Sequence, residues 1–240
     1  MRGLILATQF LTRLPTPQVR DFEPADLSRC AVWFPAVGLI VGALLAGLAW
    51  VAGGQPPMFA ALLLLAFWTW VTGGLHLDGL ADLADALAAA HGRPERFLEV
   101  LKDPHLGSFG VIALVLMLLG KFILLVQLPA GLTAALLLVP AWARLGPLVW
   151  VWWLPPLHGG MGDRFAWRRQ PTAMLAWAAA LLAASVWLVP KLLVAPLLIA
   201  AWGLFLKRRL GGQCGDALGA GIELVEVGLL VTLAANPALA

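Results

Sequence analysis

The sequence predicts an all-α, polytopic integral membrane protein. Of its 240 residues 61% are hydrophobic and only 12% are charged, a balance too apolar for a domain whose main solvent is water. Long apolar runs recur along the chain, several of them near the ~20 residues that a helix needs to cross a hydrocarbon core about 30 Å thick. The cations between those runs collect in alternate loops, the distribution expected of a multi-pass protein.

The first apolar stretch, residues 3–12, runs into Thr12-Arg13-Leu14-Pro15 rather than into a small-residue cleavage site. It does not read as a cleavable signal, so insertion is expected to rely on the spans themselves. Spans are predicted at 31–52, 57–72, 109–127, 132–153, 172–189, 192–206 and 217–235. That makes about seven, or six, because the second and sixth are short and only Pro190 and its neighbours separate the fifth from the sixth. Trp50, Trp70, Trp150, Trp152, Trp153 and Trp187 fall near span ends, where an amphipathic ring suits the membrane interface. Cys30 and Cys214 form neither a disulfide framework nor a zinc spacing, which is compatible with a reducing compartment.

Four arginines precede the first span, and Arg93, Arg96, Lys102, then Arg164, Arg168, Arg169, then Lys207, Arg208, Arg209 follow in alternate loops, against Lys191 alone on the other side. Positively charged loops are retained in the cytoplasm, so the N-terminus is expected there. This topology and anionic lipid account for the net charge of +3, and no nucleic-acid motif is present. Asp78, Asp82, Asp85, Asp103, Asp163 and Asp216 lie in or beside the same loops, which puts the polar chemistry on one aqueous face. Without a repeat, a low-complexity tract or a linker, residues 1–240 read as one domain.

Three constellations carry chemistry. In Gly73-Gly74-Leu75-His76-Leu77-Asp78-Gly79-Leu80-Ala81-Asp82-Leu83-Ala84-Asp85 the acids are spaced i, i+4, i+7 and share one helical face. Such like charges destabilise a helix unless a cation lies between them, and carboxylates with room for water suit Mg²⁺. A solvated acidic face is the simpler explanation, but acids this close to a bilayer are costly and point to function. In Gly211-Gly212-Gln213-Cys214-Gly215-Asp216, with Glu223 and Glu226 beyond, glycines can admit a phosphate or simply allow close helix packing. The acids lie along one side of a helix that enters the membrane. In the third, Arg93 to Gly110, the cations serve a pyrophosphate or act as positive-inside anchors. Lys121 and Arg144 lie inside apolar runs and must find an acid, a carbonyl or a ligand phosphate; the acidic helices are the expected partners. His91 and His158 stay unassigned, and no Ser/His/Asp or nucleophilic Cys arrangement is readable.

With these residues in view, the sequence resembles the cobalamin synthase family of adenosylcobinamide-GDP ribazoletransferases. The resemblance rests on Phe10-Leu11-Thr12-Arg13-Leu14-Pro15, Phe34-Pro35 with Val37-Gly38-Leu39, the Gly73 to Asp82 run, Lys102-Asp103 with Gly107-Ser108-Phe109-Gly110, and Gly211-Gly212-Gln213 with Gly215-Asp216, Glu223 and Glu226. The chain departs from the family pattern at Ala86, at Pro104-His105 and at Cys214. The resemblance implies a Mg²⁺-dependent enzyme of a bacterial inner membrane, its active site facing the cytoplasm, that joins adenosylcobinamide-GDP and α-ribazole or its 5′-phosphate with release of GMP, late in cobalamin assembly. It also implies roles. Asp78, Asp82, Asp85, Asp216, Glu223 and Glu226 become metal ligands, with Asp85, Asp82 and Lys102 catalytic. His76, Asp103, His105, Lys121, Arg144, Gly211, Gly212 and Gln213 become substrate-binding. Self-association is compatible with the sequence.

Two other readings compete. A CDP-alcohol phosphotransferase also sets several Asp around divalent metal, but Asp78-Gly79 is followed by Leu80-Ala81-Asp82 without the Ala-Arg of that motif. A transporter subunit would use Lys121, Arg144, Glu223 and Glu226 to line a polar path, whereas most acids and glycines here collect at one membrane edge.

Overall fold

The structure, a computed structural model, describes residues 2–19, 23–90, 93–129, 133–157 and 169–235. Arg20, His91, His158, Asp163, Arg164 and Arg168 lie outside the described residues.

The described chain is helical: α1 (Arg2–Leu11), α2 (Pro24–Cys30), α3 (Phe34–Val51), α4 (Pro57–Thr72), α5 (Leu75–Ala90), α6 (Pro94–Val100), α7 (Ser108–Val126), α8 (Thr133–Trp153), α9 (Pro171–Leu188), α10 (Ala195–Arg209) and α11 (Gly215–Ala234). Single 3-10 turns, Ala31–Trp33 and Pro190–Val194, lead into α3 and α10. Proline stands in the first turn of α2, α3, α4, α6, α9 and α10, where its missing N–H costs nothing and its fixed φ favours the helix. Among the described residues six helices are long and apolar enough to cross a membrane, and α4 with α5 makes a seventh only as a pair bent by 85°. The expected span count, about seven or six, is met.

The bend between α4 and α5 is written in Gly73 and Gly74, whose φ values are 66° and 72°. Two successive left-handed residues are open to glycine at little cost, and their amides return to Trp70 and Thr69 carbonyls to close α4. The acid-bearing helix α5 therefore leaves α4 nearly at right angles.

The packing centre is α8, most of which is buried. Gly38 and Gly42 of α3 let the two backbones approach so closely that a Cβ at either would collide with the main chain at Pro140-Ala141 or Leu136-Leu137, the small-residue packing of membrane helices. Trp142 Nε1 donates to Ser185 Oγ at 2.9 Å and Trp150 Nε1 donates to the Ile199 carbonyl at 2.8 Å. Trp150 thus departs from the interfacial role read from its position: it is wholly buried, in space left by Gly146, Gly203 and Gly221. Trp50 and Trp187 are the exposed rings expected of span ends.

Candidate active site

Helices α5 and α11 meet through glycine. A Cβ on Gly79 would lie 3.0 Å from both Cα and the carbonyl oxygen of Asp216, and Gly219 faces the backbone of His76. This contact brings Asp216, in the first turn of α11, against Asp78 and Asp82 on α5. Asp78 is exposed, Asp82 and Asp216 half-buried. The carboxylates of Asp78, Asp216 and Asp85 all act on Asp82 as like charges, and Asp78 acts on Asp216. Among the described residues, none of Asp78, Asp82 and Asp216 takes part in an ion pair. Three His, Cys, Asp or Glu side chains in ready metal-holding geometry are not found among those residues either.

Asp85, the third acid of the i, i+4, i+7 set, has another task. The backbone N–H groups of Gly107 and Gly110 donate to its Oδ2 and Oδ1 at 2.8 and 2.9 Å. Its carboxylate therefore caps the N-terminus of α7, where unpaired amides and the helix dipole favour negative charge. A Cβ at Gly107 or Gly110 would collide with that carboxylate, which explains both glycines of Gly107-Ser108-Phe109-Gly110.

Glu223 and Glu226, grouped with the metal acids in the sequence reading, are instead held by Lys121 and Arg144. Lys121 Nζ lies 2.6 Å from Glu223 Oε2 and 2.6 Å from Glu226 Oε2, and Arg144 Nη1 lies 2.8 Å from Glu226 Oε1. Arg144 Nη1 also donates to the Pro140 carbonyl at 3.1 Å, and Lys121 stands 4.7 Å above the Trp68 ring. All four side chains are at most 4% exposed, so the two cations satisfy two acids within the helix bundle. The expectation that Lys121 and Arg144 pair with the acidic helices holds: both meet carboxylates of α11.

The basic and glycine-rich loops divide in the same way. Lys102, Asp103 and His105 are exposed on the segment between α6 and α7. His105 Nδ1 lies 2.6 Å from Asp103 Oδ1, and the His105 amide donates to the same oxygen at 3.0 Å. These contacts with His105 hold the Asp103 carboxyl below its usual range. In Gly211-Gly212-Gln213 the Gly211 amide donates to the Leu206 carbonyl at 3.1 Å and the Gln213 amide to the Pro155 carbonyl at 2.9 Å. Two of these three amides are thus committed to the protein, and the Gln213 side chain is buried, its Oε1 without a partner among the described residues. Burial pushes the Cys214 thiol up to about 12, which keeps it neutral and unreactive.

A cavity of about 210 Å³ opens beside the acids, lined by Phe10, Phe34, His76, Asp78, Asp216 and Ile222 among others. His76 is buried, and neither ring nitrogen has a hydrogen-bond partner among the described residues. Sequence reasoning did not find this cavity, nor the part that Trp68 plays beneath Lys121. Phe10 and Phe34 were visible as motif residues, but nothing in their spacing said that α1 and α3 would bring them to α5.

The model of the cobalamin-5-phosphate synthase family matches residues 3–234. A relative from Laribacter hongkongensis named adenosylcobinamide-GDP ribazoletransferase is 60% identical over 238 residues, covering 96% of each chain. Relatives of the same name from Novosphingobium aromaticivorans and Thiobacillus denitrificans are 54% identical over 238 residues and 51% identical over 245, covering 98% and 100% of this chain and 96% and 98% of their own. No solved structure matches the chain. A family match and relatives that run almost from end to end, on a helical membrane fold whose α5 and α11 acids converge, establish that the chain belongs to the cobalamin-5-phosphate synthase family.

Proposed function

We propose that the chain is an adenosylcobinamide-GDP ribazoletransferase of late cobalamin biosynthesis. A hydroxyl of α-ribazole, or of its 5′-phosphate, attacks the cobinamide-side phosphorus of adenosylcobinamide-GDP. A P–O bond to the nucleoside forms, the P–O bond to GMP breaks, and the hydroxyl proton passes to a carboxylate. The observation that carries this reading is identity of 51–60% with relatives of that name over nearly the whole chain. Neither rival gains support, since the charges a transporter would use are neutralised in pairs by Lys121, Arg144, Glu223 and Glu226.

The acids at the α5–α11 junction fit Mg²⁺. Asp78, Asp82 and Asp216 offer hard oxygen donors that act on one another as like charges and take part in no ion pair among the described residues. Mg²⁺ keeps several waters and needs only one or two carboxylates, so a closed protein cage is not required. Bound there, it would supply positive charge to the pyrophosphate oxygens and to the departing GMP. Asp82, half-buried and acted on by both of the others, is the carboxylate we assign to the hydroxyl proton. Asp85 fixes α7 through Gly107 and Gly110, and so positions the segment that presents Lys102 to phosphate. The distribution of Lys and Arg supports a site facing the cytoplasm of a bacterial inner membrane.

The test is GMP release by the purified protein in lipid nanodiscs. Release is expected to require adenosylcobinamide-GDP, α-ribazole, Mg²⁺ and Asp82. Release without α-ribazole, or release indifferent to Mg²⁺ and to Asp82→Asn, would overturn the assignment.

A further inference from the structure

We infer that Arg13 is a substrate-binding residue that grips the diphosphate of the donor beside the first turn of α5; this rests on the transferase reading above.

Arg13 is held from two directions. Its amide donates to the Val71 carbonyl at 2.8 Å. Thr12, the buried residue before it, donates through Oγ1 to the Thr8 carbonyl at 2.7 Å and accepts from the Leu14 amide at 3.2 Å. The segment that leaves α1 is thus tied to the end of α4. The Arg13 side chain then crosses the turn between α4 and α5: a Cβ on Gly73 would stand 2.9 Å from its Nε and 3.2 Å from its Cγ. Glycine at 73 therefore serves two ends, the φ of 66° and a path for the arginine that a side chain there would block.

That path runs beside the acids. The Asp78 amide donates to the Gly74 carbonyl at 2.9 Å, so Gly73 stands about one helical turn, ~5 Å, before Asp78. Phe10 and Leu11, just ahead of Arg13, and Leu75, just after Gly73, line the same cavity as Asp78 and Asp216. Arg13 is exposed, and its guanidinium takes part in no ion pair among the described residues. Arg2 and Arg29, which also precede the first span, both meet Asp26.

A cation and three acids thus share one end of α5 without joining. The separation suits a ligand whose charge needs both: phosphate oxygens that accept from a guanidinium on one side and meet carboxylate-held Mg²⁺ on the other. A positive-inside anchor needs only charge, which Lys would supply. A planar fork held at Nε fits two phosphate oxygens at once, and it donates to the oxygens on which charge collects as the P–O bond to GMP breaks.

The experiment has a wild-type arm and a variant arm, both in nanodiscs with Mg²⁺. Phenylglyoxal, which modifies exposed guanidinium groups, is applied to the wild-type protein, and modification of Arg13 is followed by mass spectrometry. Saturating adenosylcobinamide-GDP is expected to slow it by about tenfold or more, whereas α-ribazole or its 5′-phosphate alone leaves it unchanged. In turnover, Arg13→Lys, which keeps the charge, is expected to lower kcat/KM for adenosylcobinamide-GDP by about tenfold and Arg13→Ala by about a hundredfold. The loss should be the same with α-ribazole and with its 5′-phosphate as acceptor. Arg13 equally reactive with the donor bound overturns the inference whether or not the variants fold, as does full activity in Arg13→Lys. A loss confined to the phosphorylated acceptor also overturns it and gives Arg13 to the acceptor's phosphate. No transfer by the wild-type protein overturns the transferase reading itself.

Discussion

Replacing Glu226 by Gln removes one negative charge from a buried group of four and leaves its neighbours in place. Glu226 makes contacts of 2.6 Å to Lys121 and 2.8 Å to Arg144, each worth about 4 kcal/mol or more at an effective dielectric near 20. Removing the ions from water costs several kcal/mol apiece, so the intact group is close to neutral in its net effect on stability. The variant is not neutral: two cations then face Glu223 alone, and Arg144 already has Nε and Nη2 without partners among the described residues. A loss of about 3–5 kcal/mol is expected, read as a lower unfolding midpoint in bicelles titrated with SDS. Lys121→Met alone should cost a similar amount. The double variant, which returns the site to one cation and one anion, should cost at least ~2 kcal/mol less than the sum of the singles. A loss under ~1 kcal/mol for Glu226→Gln, or additive costs in the double variant, would refute the claim that charge balance holds this group together.

Asp78→Asn and Asp216→Asn are each expected to raise the Mg²⁺ concentration for half-maximal GMP release by about tenfold or more, measured by metal titration of turnover; an unchanged titration removes that residue from the metal site. Gly107→Ala puts a Cβ against the Asp85 carboxylate and should lower stability by about 1–3 kcal/mol; in an Asp85→Ala background, where that carboxylate is gone, thermal unfolding should show most of that penalty missing. The buried Cys214 thiol, pushed from 9.0 up to about 12, binds its proton more tightly in the folded protein than in the unfolded. Its contribution is therefore complete below pH 9 and declines as the pH rises towards 12; folded protein at pH 8.5 should leave Cys214 unmodified by iodoacetamide, as judged by mass spectrometry, whereas unfolded protein reacts.

The spans were legible because a bilayer imposes a length and a composition on every crossing, and the seven predicted ranges coincide with helices within a few residues. The need of Lys121 and Arg144 for acids was legible for the same reason. Which acids they meet was not, because Glu223, Glu226, Asp78, Asp82 and Asp216 are alike in composition and differ only in which helix faces them. Helical periodicity likewise placed Asp85 on the face of Asp78 and Asp82, but residues more than twenty positions away decide what it binds, and Gly107 and Gly110, at the start of α7, were the only local trace of it. Trp150 was misplaced by a similar limit: α8 has the hydropathy of a lipid-facing span, yet other helices surround it.

The ten-residue interval from Asp216 to Glu226 acts as a ruler. At about 1.5 Å of rise per residue, Glu223 and Glu226 stand ~10 and ~15 Å along α11 from Asp216, and each end of the interval is fixed by a different part of the molecule. Asp216 is set by its fit against Gly79, Glu226 by Lys121 and Arg144. One residue inserted between them would turn one end by about 100° relative to the other, so either the acid would leave α5 or a charge would be stranded. The length of this interval should therefore be invariant across the family even where its apolar residues drift, while length changes gather in the connections between helices, where no such pair of fixed ends exists.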